Sequence, residues 1–141
     1  MKLTPPRNGR KLVTALTAAL TLGTCGVMVS AGQASAATAL SPYALRSSLP
    51  GGTVAVGIKV NGQAGGCHGL PQGGGTVVPL TDFSVRGGDH VVVTAYGNQS
   101  CTLGSSIASQ TYDLQSNLTP PGDSNSIEFA VTSNFWQFAR R

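Results

Sequence analysis

The residues of this 141-residue chain with the clearest capacity for chemistry are two thiols and two imidazoles: Cys67, His68, His90 and Cys101. Thiolate sulfur and imidazole nitrogen are ligands that Zn²⁺ prefers in proteins. The spacing does not favour zinc, because the sequence has no C-x-x-C or H-x-x-x-H pair and adjacent Cys67 and His68 would need a contorted loop. We therefore predict no metal and no other cofactor. A catalytic cysteine would need a free thiolate, which a disulfide removes.

The N-terminal segment has the order of a secretory signal peptide. Four basic residues fall within the first eleven positions, residues 12–31 are mostly apolar, and an A-x-A site ends at Ala36. This order predicts export with removal of residues 1–36, and cleavage after Ala39 is the second choice. An uncleaved membrane anchor over the apolar run and lipid attachment at Cys25 are weaker alternatives.

Export makes a disulfide the favoured role for Cys67 and Cys101, the two cysteines that remain. Each follows paired glycines, an apolar run and an Asn/Gly/Gln turn, so both are expected just past the end of a strand. Closing the loop of about 35 residues between them would contribute about 3–4 kcal/mol. Seven glycines within residues 62–75 give the loop around Cys67 high conformational entropy in the unfolded chain, and the sequence allows this loop to be ordered or mobile.

Removal of the N-terminal segment also changes the charge of the protein. The whole chain carries a net charge of +4, but five cationic and five anionic side chains follow residue 36, so the remainder is neutral. Its length of about 105 residues predicts one domain. Because no basic stripe is left to neutralise phosphates, we do not expect a nucleic-acid partner. No membrane contact is expected after cleavage.

Alternation of apolar and polar residues predicts strands along the rest of the chain. They lie at residues 52–62, 75–80, 82–86, 90–97, 106–114 and 126–133. The residues expected to share one face are Val54, Val56, Ile58 and Val60 in the first strand and Phe83 and Val85 in the third, and in the last strand Ile127, Phe129 and Val131 are expected inward and Glu128, Ala130 and Thr132 outward. Because proline has no N–H group to donate within a sheet, the strand that contains Pro79 is expected at a sheet edge or at a bulge. The pattern predicts an all-β fold, a small antiparallel β-sandwich of Ig-like or other Greek-key type with about six to eight strands over residues 51–141. Residues 37–50 are expected to form an N-terminal arm or an edge strand, and a βγ-crystallin-like double Greek key is the alternative fold.

Other catalytic arrangements are not indicated by the sequence. There is no G-x-S-x-G motif, and Asp89 and His90 are neighbours at a strand start, where adjacent side chains point to opposite faces. The acidic residues are scattered and suggest no pair for glycoside hydrolysis. We expect His68 to be a solvated loop residue and His90 a surface residue at a strand end. The protein is not predicted to be an enzyme, and a small hydrolase with an unrecognised site is the third hypothesis.

Binding is the function that remains, and the aromatic residues are the candidates for it. The possible binding surface comprises Tyr96, Tyr112, Phe135, Trp136 and Phe138. Exposed on a flat sheet, such rings would stack on sugars or anchor a protein partner, whereas the alternative is that they close the core. We expect a secreted domain that binds an extracellular protein or glycan without catalysis. A self-associating structural or surface-coat protein is the alternative.

Overall fold

Two four-stranded β-sheets make up the part of the chain that the computed structural model describes, residues 37–73 and 75–140. The strands are β1 (Ser41–Leu45), β2 (Ala55–Val60), β3 (Gln63–Gly69), β4 (Val77–Pro79), β5 (His90–Tyr96), β6 (Ser106–Asp113), β7 (Ser126–Ala130) and β8 (Phe135–Ala139). Both sheets contribute to one hydrophobic core, so the predicted small β-sandwich is confirmed. The predicted signal peptide lies outside the described residues.

The strand order is β4-β1-β7-β8 in the first sheet and β3-β2-β5-β6 in the second. Neighbouring strands are antiparallel except β1 and β7, which run parallel and place Tyr43 opposite Glu128. Pro79 lies in β4 at the edge of its sheet, as predicted. Its missing N–H group costs least at such a position.

Apolar side chains at alternate strand positions form the core. Val56, Ile58, Val91 and Val93 of the second sheet meet Ile127 and Phe129 of the first, and all six are buried. Tyr112 of β6 links the sheets, because its hydroxyl donates to the carbonyl oxygen of Ala130 at 2.6 Å. Burial raises the pKa of Tyr112 to about 12. The ring of Tyr112 was considered either for a binding surface or for the core, and the structure places it in the core.

The first strand lies inside its sheet. β1 is hydrogen-bonded to β4 on one side and to β7 on the other, and Tyr43 and Ala44 are buried. The expectation of an arm or an edge strand over residues 37–50 is therefore corrected. The local sequence shows that a strand can form there, but its place in the sheet depends on pairing partners far along the chain.

The predicted strand over residues 82–86 is reduced to a single bridge between Leu40 and Val85. Val85 is buried and Phe83 packs against the core, so the inward-facing residues are those predicted. At the start of this segment Asp82 lies against the second sheet, where its Oδ2 accepts a hydrogen bond from the N–H of Gly66 at 2.7 Å.

Residues 63–69 of the glycine-rich stretch form the edge strand β3, so this part of the loop, which the sequence allowed to be ordered or mobile, is ordered. Asn61 and Gly62 have positive φ angles of 51° and 83° and form the tight turn between β2 and β3. Asn-Gly is the pair that such two-residue hairpin turns favour. Glycine is required at position 65, because a Cβ atom there would lie 2.6 Å from Oδ2 of Asp82. Close approach of a second segment therefore explains this glycine better than flexibility does.

Candidate binding surface at the disulfide

The predicted disulfide joins Cys67 and Cys101, whose Cα atoms are 5.7 Å apart. Cys67 lies within β3 opposite Gly57 of β2, and Cys101 lies in the turn after β5. Because β2 lies between β3 and β5, the disulfide crosses the outer face of β2. The expected position just past a strand is confirmed for Cys101 and is wrong for Cys67, because residues 63–69 are themselves a strand.

Small residues on the outer face of β2 allow Tyr96 to lie over this strand. A Cβ atom at position 57 would lie 3.2 Å from Cε2 of Tyr96, so a larger residue than glycine would crowd the ring. Ala55, which lies opposite Tyr96, is fully buried. Tyr96 itself is 8% exposed, so most of its ring is out of reach of a partner.

Hydrogen bonds hold the turn that carries Cys101. The N–H of Gly97 donates to the carbonyl of Ser105 at 2.8 Å, and the N–H of Ser105 donates to the carbonyl of Thr102 at 2.9 Å. The side-chain amide of Asn98 donates to Oγ1 of Thr102 at 2.9 Å. Cys101 has a φ of 48°, in the left-handed region that residues other than glycine rarely adopt. The disulfide and these bonds together hold the backbone in that conformation.

Two large apolar side chains are exposed beside this turn. Leu103, at the start of the 3₁₀ turn Leu103–Ser105, is 86% exposed, and Ile107 is 42% exposed. A groove of about 320 Å³ lies beside Leu103, and Lys59 is the one charged residue among the described residues that line it. We name this surface the disulfide corner and define it by Lys59, Cys67, Tyr96, Cys101, Leu103 and Ile107.

Sequence reasoning missed Leu103 and Ile107 as candidate binding residues. The available signal is weak: Leu103 is an isolated apolar residue in the polar run CTLGSS, where no alternation gives it a place on a buried face. Its exposure follows from the turn that the disulfide holds. A disulfide is visible in the sequence only as a pairing of two cysteines.

The five aromatic residues predicted to form a binding surface are divided between the two sheets. Tyr112 is in the core and Tyr96 covers β2. Phe135, Trp136 and Phe138 lie on β8, the edge strand of the first sheet, where Phe135 is 44% exposed. The rings of Trp136 and Phe138 pack edge to face, with centroids 5.3 Å apart, and both contact the core. The five rings are not brought together, and a binding role for Phe135 stays a prediction.

Each histidine is paired with an aspartate from a distant part of the chain. His68 Nε2 lies 2.5 Å from Oδ2 of Asp82, and His90 Nδ1 lies 2.6 Å from Oδ1 of Asp113. His68 is therefore not the solvated loop residue that we predicted, whereas His90 is exposed at the start of β5 as predicted. The hydrogen bond with His68 lowers the pKa of Asp82 below its usual value, and the N–H of Gly66 lowers it further.

The part of the chain that the structure describes holds neither a metal-binding cluster nor a membrane-spanning helix. Among the described residues, no three His, Cys, Asp or Glu side chains are close enough together to hold a metal ion. Within the same part of the chain, no helix has the length and apolar character needed to cross a membrane. Comparison of the chain with protein-family models, with curated proteins and with solved structures found no match.

Proposed function

We propose that this protein is a secreted, non-catalytic binding domain that attaches to a partner protein through the disulfide corner. The observation that carries the proposal is the 86% exposure of Leu103 on a turn whose backbone is held by a disulfide and hydrogen bonds. Burial of a leucine or isoleucine side chain contributes about 1.5–3 kcal/mol. A partner that covers Leu103 and Ile107 would gain this free energy.

The chemistry of the corner favours a partner with an apolar recess and an acidic side chain beside it. Leu103 supplies the apolar contact, and Lys59 supplies the charge in the adjacent groove. The ion pairs among the described residues do not include Lys59. A carboxylate on the partner would orient the complex and speed the encounter more than it would raise affinity.

The fixed turn lowers the entropic cost of binding. Leu103 follows Cys101 by two residues, and the N–H of Ser105 bonds back to Thr102. A segment that is already ordered loses less conformational freedom on association than a mobile one. The disulfide corner is therefore suited to direct docking with little change in its backbone.

Secretion is part of the proposal, and two observations support it. The basic, apolar and small-residue order of residues 1–36 is that of a signal peptide. Cys67 and Cys101 form a disulfide, and such bonds persist mainly in oxidising compartments outside the cytoplasm.

We also propose that the protein has no catalytic activity. Serine hydrolases need an imidazole that takes a proton from a hydroxyl group, and among the described residues neither His68 nor His90 is hydrogen-bonded to a serine or threonine hydroxyl. We expect no turnover of peptide, ester or glycan libraries by the mature protein. Activity that disappears in a His68→Ala or a His90→Ala variant would contradict this part of the proposal.

Self-association is the second candidate function, and the edge formed by β6 favours it. This strand ends the second sheet, is eight residues long and contains no proline, lysine or arginine. Edge strands without such residues are templates for pairing with another chain. Pairing of two copies along β6 would extend the second sheet, as an assembling coat protein requires.

A photo-crosslinking residue at position 103 tests the proposed function. Mature protein with p-benzoylphenylalanine in place of Leu103 is irradiated in the native culture medium. The matched control carries the same residue in place of Asn134, which is exposed in the turn between β7 and β8. We expect one discrete adduct from position 103, no adduct from position 134, and loss of the adduct when Lys59→Glu is added.

Three outcomes would count against this proposal. Equal adducts from both positions would show that the contact is not specific to the disulfide corner. An adduct that persists with Lys59→Glu would remove the acidic partner surface from the proposal. An adduct with twice the mass of the protein would indicate self-association instead.

A further inference from the structure

A cavity on the outer face of the first sheet has the properties of a site for a different ligand. It has a volume of about 300 Å³, and its lining includes the hydroxyl-bearing residues Ser41, Thr81, Ser84 and Ser126 and the aromatic residues Tyr43 and Phe83. We propose that this cavity binds one neutral pyranose ring, either as a free monosaccharide or as the end of a glycan chain.

Two adjacent strands form the floor of the cavity. Ser41 and Tyr43 of β1 lie opposite Ser126 and Glu128 of β7, and alternate positions along a strand share one face. Ser126 is buried, and its hydroxyl donates to Oδ1 of Asn125 at 2.9 Å. The polar groups of the floor are therefore positioned by the pairing of the sheet.

The wall of the cavity is formed by residues 81–84, and hydrogen bonds hold both ends of this segment. At one end the N–H of Leu80 donates to the carbonyl of Pro42 at 3.0 Å. At the other end Leu40 and Val85 exchange two N–H···O bonds of 2.8 and 2.9 Å. Since both ends are held to β1 or to the residue before it, the cavity is formed before a ligand arrives.

The cavity carries no charge on any of the described residues that line it. Asp82 belongs to the wall segment, but its carboxylate is bonded to Gly66 and His68 on β3. Glu128 belongs to a floor strand, but it is 2% exposed and its Oε2 accepts a hydrogen bond from Gln137 at 2.7 Å. A charged ligand would lose its hydration here without meeting an opposite charge, so the site favours a neutral one.

The lining offers the two kinds of contact that a sugar ring needs. Ser41, Thr81 and Ser84 carry hydroxyl groups, which both donate and accept hydrogen bonds as sugar hydroxyls do. Phe83, which is half-buried, gives apolar surface for the C–H groups of the sugar, and Tyr43 lies buried in the floor beside it. A volume of about 300 Å³ is at the small end of the range for ligand sites, which suits a single ring.

An NMR titration of ¹⁵N-labelled mature protein tests the proposal. The probes are methyl β-glucopyranoside, methyl β-galactopyranoside and N-acetylglucosamine, with glucuronate and glucosamine as charged counterparts. A neutral ligand of this size should bind with a Kd of about 1 mM. We expect saturable amide shifts at the floor and the wall of the cavity for at least one neutral sugar, and much weaker binding of both charged sugars.

Matched variants place the binding in the cavity. Ser84→Trp puts a large side chain into the wall and should weaken binding at least about tenfold. Ser133→Trp, at an exposed position in the turn between β7 and β8, should leave the affinity unchanged. Ser84→Ala removes only the hydroxyl and should give a smaller loss, which guards against a folding defect in the tryptophan variant.

Either of two results would overturn the proposal. The first is that none of the neutral sugars gives a saturable amide shift below about 100 mM, and the second is that Ser84→Trp does not weaken the binding. Equal affinity for a methyl glycoside and the corresponding tetrasaccharide would identify a free sugar as the ligand, and tighter binding of the tetrasaccharide would identify a chain end. Leu103→Ala should leave sugar binding intact, so this proposal and the one for the disulfide corner can fail separately.

Discussion

The outer faces of the two sheets differ in the chemistry that they present to solvent. On the second sheet, Leu103 projects from the disulfide corner into water beside a groove that contains Lys59. On the first sheet, the surface is recessed into an uncharged cavity whose floor includes the buried Tyr43. One shared core supports both, because core packing fixes the inward positions of a strand and leaves the outward positions free to differ.

The size of the outward-facing residues explains the difference. On β2, positions 55 and 57 are alanine and glycine, so Tyr96 and the disulfide can lie over the strand and build up the corner. On β1 and β7, the outward positions include Tyr43 and Glu128, which lie opposite each other. Larger residues occupy this face themselves, and residues 81–84 enclose the space beside them.

Loss of the disulfide, which lies on the second sheet, should have the largest effect on the stability of the fold. Replacement of both Cys67 and Cys101 by serine removes a cross-link between residues 34 positions apart. We expect the free energy of unfolding, measured by urea denaturation, to fall by about 3–4 kcal/mol. Wild-type protein in excess reductant should show the same loss. A loss below about 1 kcal/mol would mean that the disulfide is not what stabilises the corner.

Removal of one hydroxyl should distinguish the tyrosine between the sheets from the one on the outer face. Tyr112→Phe deletes the bond to the carbonyl of Ala130 and should cost about 1–2 kcal/mol in thermal or urea unfolding. Tyr96→Phe is the matched control and should change stability by less than about 0.5 kcal/mol. Equal losses in the two variants would contradict the assignment of Tyr112 as the link between the sheets.

The two histidine–aspartate pairs should differ in their contribution to stability. The side chain of Asp82 is 32% exposed and that of Asp113 is 83% exposed. Asp82→Asn should cost about 1 kcal/mol near neutral pH, whereas Asp113→Asn should cost almost nothing, as is usual for exposed ion pairs. Urea denaturation of the two variants checks this difference.

The difference in the free energy of unfolding between wild type and Asp82→Asn should disappear at low pH. The folded-state pKa of Asp82 lies below its ordinary value of 3.8, so the ionised group stabilises the fold above that pH. This contribution is lost as the pH falls through the lowered pKa of the folded state. A difference between wild type and Asp82→Asn that is constant down to strongly acidic pH would contradict this role.

Leu103→Ala should have little effect on stability, although it should weaken binding at the corner by at least about tenfold. Because Leu103 is exposed, its truncation should change the free energy of unfolding by less than about 0.5 kcal/mol. Ile58→Ala, at a buried position of β2, is the contrasting variant and should cost about 2–5 kcal/mol. A large loss of stability for Leu103→Ala would mean that this side chain packs within the fold and is not available to a partner.

Strands with period-two alternation were predictable, because a strand that buries one face has an apolar residue at every second position. This holds for β2 and β7, where Val56, Ile58, Ile127 and Phe129 face inward as expected. The alternation also led us to expect solvent at Glu128 and Ala130, yet both are buried. Burial on the outer face depends on neighbouring strands such as β8, where Gln137 meets Glu128, and the sequence of one strand does not contain that information.

Features that depend on distant segments were not predictable. The glycines of β3 suggest a loop until Asp82 is seen against them, and β1 gives no local sign that it lies between β4 and β7. For the same reason, aromatic content drew attention to Tyr96 and Tyr112, which are covered. The disulfide was predictable because compartment and cysteine count restrict the pairing to one choice.

The disulfide corner exists as an ordered surface only if Cys67 and Cys101 are oxidised in the protein that leaves the cell. Intact-mass measurement of protein harvested from the culture medium tests this directly. We predict a chain that begins after Ala36, is two hydrogens lighter than its dithiol form and takes up alkylating reagent only after reduction. Two thiols that react at once, or a secreted chain that retains residues 1–36, would contradict the account.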